Sequence, residues 1–174
     1  MSAQQTSVRE GQWVAFRLHS EVYGVEIGRV QGIERLHHVT KVPRTPRFVD
    51  GVINLRGQIT PVIDLRTRLG FDRAQPTKET RIVVVTQAGQ NVGLVVDRVE
   101  GVVRISSDQV ESPSELIGAI ESQYVDGIAK LDDQLLILLK LDEILDWRDE
   151  ILVEGRSGDR TGGKRSEVIH DATV

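Results

Sequence analysis

Cysteine is absent from the 174 residues, which excludes a disulfide framework and any thiolate chemistry. Aromatic side chains are scarce, with three Phe, two Tyr and two Trp. The core must therefore be aliphatic, and the rings that stack single-stranded nucleic acid are in short supply. A basic excess is missing too: 22 Lys and Arg stand against 26 Asp and Glu, for a net charge of −4 and a pI near 5.6. That balance argues against a general electrostatic hold on phosphate, so no nucleic-acid partner is expected. No apolar run approaches the roughly 18 residues of a spanning helix. The first residues lack the basic-then-apolar pattern of a signal peptide. A soluble, cytoplasmic chain is expected, with any membrane link made through a partner.

Catalytic and cofactor motifs are equally thin. His37 and His38 are adjacent, so in a strand they point to opposite faces, and His19 and His170 lie far off in sequence. This is not metal-ligand spacing. No Gly-x-Ser-x-Gly elbow occurs. Gly158 to Lys164 fits the first seven positions of a phosphate-binding loop, but Arg165 stands where Ser or Thr should hold magnesium. The abundant carboxylates sit mostly at turns or beside Lys and Arg, as on a solvated surface. No enzyme activity, metal or cofactor is expected.

What the chain does have is repetition. Gly51-Val-Ile-Asn-Leu-Arg-Gly57 leads into Gln58-Ile-Thr-Pro-Val-Ile-Asp-Leu65, which reads as a strand, a two-residue turn and a second strand. Gly57 supplies the positive φ that such a turn demands, and Arg56 is placed at its tip. The same sentence returns as Gly127 to Leu141, where Leu131 answers Leu55, Gln134 answers Gln58 and Leu145 answers Leu69, all at an offset of 76 positions. A second echo, Tyr23-Gly24-Val25 through Gly32-Ile33 against Val92-Gly93-Leu94 through Gly101-Val102, has an offset of 69. Two echoes in the same order imply a duplicated unit. Five Pro and sixteen Gly suit turn-rich β structure.

Taken in order, residues 1–11 read as a flexible arm. Hairpins are predicted over 12–27, with Ser20-Glu21 at the turn, over 51–64, and over 80–97 around Ala88-Gly89-Gln90. Gly28 to Gly32 suggests a helical turn, His37 to Pro46 a loop, and Asp64 to Leu69 a short helix ended by Gly70. The polar connector 72–79 marks the seam between the copies, which sets a first barrel at roughly 12–75 and a second at roughly 76–140. A further strand is predicted over 99–105, and 106–123 reads as a long loop. The five consecutive apolar residues from Leu135 to Leu139 predict a strand buried on both faces. Residues 141–152 carry a stripe near helical spacing and predict a closing helix. Residues 153–174 read as a disordered tail. A chain of two small β units with an acidic surface and no catalytic motif is expected to work by presenting surfaces to other proteins.

Gly51 to Gly57 and Pro61 to Leu65, with Tyr23-Gly24, Val92 to Asp97, and Gly127-Ile128 leading into Leu135 to Leu139, resemble the CheW family of bacterial chemotaxis coupling proteins. The resemblance runs from about Gln12 to Leu152. It implies an all-β fold with short helices: two tandem SH3-like five-stranded β-barrels packed on a shared hydrophobic seam, with a C-terminal helix. It implies an adaptor that binds the cytoplasmic tips of methyl-accepting chemoreceptors and the regulatory domain of the histidine kinase CheA, in arrays reached through membrane-bound receptors. The output, whether flagellar, pilus-based or developmental, stays open. Carried over by position, the implied receptor-side residues are Val30, Gly51, Asn54, Leu55, Arg56 and Gly57. The implied kinase-side residues are Val92, Gly93, Leu94, Val99 and Val102. Where the family often has a Glu able to pair with the hairpin Arg, this chain has Gly32. Two readings of Arg56 follow: it faces a partner, or Glu34 takes over as a structural ion-pair partner.

Overall fold

A computed structural model describes residues 10–112 and 123–147. Residues 1–9 of the predicted 1–11 arm, residues 113–122 of the predicted 106–123 loop, residues 148–152 of the predicted 141–152 helix and the predicted tail lie outside the described residues. Eleven strands are described: β1 Gly11–Leu18, β2 Glu21–Glu26, β3 Val30–Arg35, β4 Val49–Leu55, β5 Gln58–Asp64, β6 Arg81–Gln87, β7 Gln90–Val96, β8 Arg98–Ile105, β9 Val110–Glu111, β10 Val125–Lys130 and β11 Leu135–Leu139. They form two sheets, one of six strands in the order β8-β1-β2-β11-β10-β9 and one of five in the order β3-β6-β7-β5-β4. The short helices Leu65–Arg68 and Leu141–Ile144 follow β5 and β11.

The duplication is visible in the ladder registers. Gly51 pairs with Val62 and Gly127 with Leu138, so the two hairpins match at the offset of 76, and each carries a bulge immediately before the glycine, at Asp50 and Asp126. Gly32 opposite Val84 is answered by Gly101 opposite Ala15, at the offset of 69. The parallel pairs agree as well, with Val62 beside Gly93 and Leu138 beside Gly24.

These registers overturn the sequential division at 75/76. The five-stranded sheet takes β3, β4 and β5 from the first copy but β6 and β7 from the second. The six-stranded sheet takes β1 and β2 from the first copy and β8 to β11 from the second. Each copy lends its leading hairpin to the other. The reason lies in the burial of those hairpins. On β1, Trp13 and Ala15 pack with Val22, Ile105, Ala129, Leu136 and Leu138, while Val14, Phe16 and Leu18 on the opposite face are buried too. On β6, Ile82 and Val84 join Ile53, Leu55 and Val62, and Val83 and Val85 are buried on the other side. A strand apolar on both faces must be covered on both. One face fills its own sheet's core and the other builds the shared seam, where β1 touches β7 and the Asp97 N–H donates to the Arg17 carbonyl at 3.1 Å.

Local differences have simple causes. The β1–β2 turn is His19-Ser20, with His19 at φ 59°. The predicted helical turn is a 3-10 turn at Ile27–Arg29, after which the chain extends into β3. Residue Leu135 is 57% exposed, so β11 is not buried on both faces throughout; its first residue sits at the open end beside the hairpin turn. Among the described residues the predicted closing helix is a single turn, Leu141–Ile144, which buries Leu141 and Ile144. The sixth strand of the larger sheet is the two-residue β9, paired to β10 inside the predicted loop.

Candidate functional site

The β4–β5 hairpin ends in a two-residue turn closed by Leu55 opposite Gln58. Both turn residues have positive φ, 51° at Arg56 and 86° at Gly57. This is the pattern of the turns that match strand twist, and it favours Asn or Gly at the first position. An arginine there costs about 1–2 kcal/mol of backbone strain. The Asn54 side-chain oxygen accepts the Gly57 N–H at 2.9 Å and holds the turn. The Arg56 side chain is 77% exposed and its Nη2 donates to Glu34 Oε2 at 3.1 Å. Glu34 on β3 therefore takes the role left vacant at Gly32, yet most of the guanidinium remains open to a partner.

The other implied receptor-side residues divide by burial. Asn54, Arg56 and Gly57 are exposed and Val30 is half-buried. Gly51 and Leu55 are buried, so neither offers a side-chain contact. Gly51, at φ 144°, makes room for Thr40, whose backbone exchanges hydrogen bonds with Val52 at 2.8 and 2.9 Å. A Cβ at Gly51 would overlap the Thr40 carbonyl oxygen.

The implied kinase-side group is split by the fold. Leu94 is 0% exposed, Val92 and Gly93 are buried, and all three lie on β7 inside the same sheet as the Arg56 hairpin. A Cβ on Gly93 would stand 2.6 Å from Ile82 Cγ2. These three are core residues; the packing of β7 between β6 and β5 leaves them no access to a partner. Val99, half-buried, and Val102, exposed, lie on β8 at the edge of the six-stranded sheet.

Four apolar residues stand out at the surface, two of them on each sheet. Ile59 is 77% exposed, and Ile33, Val102 and Leu135 are exposed as well. Ile59 and Leu135 occupy equivalent places in the two copies, as do Ile33 and Val102. Of these only Val102 was reached by position. The repeat offset pairs Ile59 with Leu135 and Ile33 with Val102, but nothing in the sequence tells an exposed aliphatic residue on a strand from a buried one.

A polar cluster clamps the connector between the copies. Arg66 Nε donates to Asp97 Oδ1 at 2.9 Å, and Arg73 pairs with Asp50 and donates to the Arg47 carbonyl at 2.8 Å. Burial pushes the Asp97 carboxyl up, but the Arg66 guanidinium and the His19 backbone N–H outweigh it and hold it below the usual carboxylate range. Glu26, at the end of β2, is pushed up by burial and by the neighbouring Asp126 and Asp142, against the pull of Arg29.

Two β domains joined through exchanged hairpins, with side chains offered at a hairpin tip and an edge strand, define a protein-docking scaffold. The chain belongs to the CheW-like domain family, whose profile matches residues 12–149. It is 32% identical over 143 residues to the chemotaxis protein CheW of Klebsiella aerogenes, spanning 82% of this chain and 86% of that one. It is 26% identical over 137 residues to the protein PilI of Pseudomonas aeruginosa, spanning 79% and 77%. The crystal structure of the scaffolding protein TtCheW from Thermoanaerobacter tengcongensis superposes with a TM-score of 0.72 at 39% identity, covering 79% of this chain and 93% of that one. The family is one of scaffolds rather than enzymes.

Proposed function

We propose that the protein is a chemotaxis adaptor that couples methyl-accepting chemoreceptors to the histidine kinase CheA. The observation that carries this reading, beyond family membership, is Arg56: an exposed guanidinium kept at a backbone position that disfavours it. Strained residues of this kind cluster where a chain contacts its ligands. The receptor-tip surface comprises Val30, Asn54, Arg56 and Gly57, extended by the exposed Ile33 and Ile59. Gly51 and Leu55 support it from below. The kinase surface lies on the β8 edge, where Val99 and Val102 face the regulatory domain of CheA. No cofactor takes part, and the membrane is reached only through the receptors.

The test is a pair of pull-downs with a receptor-tip fragment and with the CheA regulatory domain. Arg56→Ala is expected to weaken receptor capture and leave kinase capture intact. Val102→Asp is expected to do the reverse. Receptor capture undiminished by Arg56→Ala would remove the basis for this reading.

A further inference from the structure

The stretch from Arg35 to Arg47 holds Arg35, Lys41, Arg44 and Arg47, together with His37 and His38, and no acidic residue. In a chain of net charge −4 this is a sharp local inversion. Six arginines elsewhere in the described body have carboxylate partners: Arg17 and Arg98 with Glu100, Arg29 with Asp142, Arg56 with Glu34, Arg66 with Asp97, and Arg73 with Asp50. Arg68 and Arg81 donate to backbone carbonyls; Arg104, like the loop, has no ion pair among the described residues. The six basic side chains of this loop are all exposed, and among the described residues none of them has a hydrogen bond or an ion pair.

The loop is nevertheless held. Leu36 and Val39 pack on the core of the five-stranded sheet, and the Thr40–Val52 backbone pair fastens its middle. The Val49 N–H donates to the Pro46 carbonyl at 2.9 Å, and Thr45 Oγ1 to the Val42 carbonyl at 3.1 Å. Arg44 sits at φ 63°, left-handed as are His19, Arg56 and Ala88. Unpaired cations on a pinned backbone lose little entropy when they meet carboxylates, and guanidinium groups suit carboxylates in two-point contact.

We propose that the 35–47 loop is a docking surface for an acidic polypeptide segment of a partner protein. Charge complementarity selects that occupant. A bilayer would call for apolar or aromatic side chains to enter the interface, and the loop exposes only Val42 among large hydrophobics. Nucleic acid would need stacking rings or a wider basic field. A mixed surface of cations around one valine fits a carboxylate-rich chain with an apolar residue among its acids. The loop variants below leave Arg56 and its partner Glu34 unaltered, so the pull-downs above and the experiment below can fail independently.

The experiment measures fluorescence anisotropy of a labelled 16-residue peptide of Glu and Ala with the full chain, over a salt series. The triple variant Lys41→Gln/Arg44→Gln/Arg47→Gln is compared with Lys78→Gln/Arg104→Gln/Lys140→Gln, which removes equal charge from exposed positions elsewhere. Binding that weakens with salt, falls about tenfold in the loop variant and stays within about twofold in the control is expected. The single variant Arg44→Gln provides a second reading with minimal disturbance, and its affinity should also fall. An equal loss in both triple variants, no binding by the unaltered chain, or tighter binding to phosphatidylserine vesicles or a single-stranded oligonucleotide would overturn the proposal.

Discussion

Arg68 and Ile144 occupy the same place in the two copies, and they meet: Arg68 Nε donates to the Ile144 carbonyl oxygen at 2.8 Å. Its Nη2 reaches the Glu143 carbonyl at 3.2 Å, and its guanidinium lies over the rings of Phe48 and Tyr124 at 4.6 and 5.0 Å. The last carbonyls of a helical turn have no donor within the turn, and here the other copy supplies one. The two copies thus differ at the point where they touch. Two isoleucines there would leave carbonyls without donors, and two arginines would repel.

Arg68→Ala should therefore cost about 1–3 kcal/mol for each carbonyl left without a donor, measured by urea unfolding. Loss below about 0.5 kcal/mol would mean that water replaces the guanidinium freely. A reduced melting temperature with unchanged receptor capture is the expected combination.

Because each sheet draws strands from both copies, neither half can complete a sheet alone. Residues 1–75 and 76–174, expressed separately, are expected to remain unfolded by circular dichroism and to regain β structure on mixing. The cut falls in the exposed connector and breaks no strand pairing. A half that folds alone into a monomer would contradict the exchange.

At the hairpin tip, stability and binding should move in opposite directions. Arg56→Asn suits the left-handed position better and is expected to raise stability by up to about 1 kcal/mol while weakening receptor capture. Arg56→Ala and Glu34→Ala should each cost less than about 1 kcal/mol, as befits an exposed pair. Strong destabilisation by both, with a double variant little worse than either, would make the pair structural and refute a receptor role.

Acid should unfold the protein partly through Asp97. Its carboxyl is held below its usual range, so its contribution is complete above the unfolded value of about 3.9 and disappears as pH falls through the lower folded value. Asp97→Asn should lower stability at neutral pH and flatten the acid limb of the stability curve. Glu26 has the opposite sign. Its raised folded value means that stability is lost as pH rises through it, so Glu26→Gln should stabilise at pH 7 by less than about 1 kcal/mol and give no advantage below pH about 4.

The strands and hairpins were legible because glycines and β-branched runs punctuate them locally. The helical turn at Leu65 and its stop at Gly70, at φ 93°, could be read for the same reason. The partner of each hairpin could not. Local sequence fixes which residues turn, but Val14 and Phe16 look like any core residues until the seam they fill is known. Arg56 was readable as a tip residue from Gly57, and Glu34 as its alternative partner from the missing acid at Gly32. The burial of Leu94 and the exposure of Ile59 were not, since both are aliphatic residues on predicted strands. Only the position of a strand within its sheet separates them.

Hairpin exchange also has a consequence for how the protein is made. Trp13 must wait for Val103, and Val22 for Leu136, so at about 5–20 residues per second the leading hairpin spends several seconds on the ribosome without its partners. A chain terminated just after β7 holds all five strands of the smaller sheet, β3 to β7, while β1 and β2 still lack β8 to β11. Such a fragment carries the Arg56 tip without the β8 edge, so under the proposed roles of these two surfaces it would be a decoy, occupying receptors while recruiting no kinase, unless proteolysis of the unpaired leading hairpin removes it first.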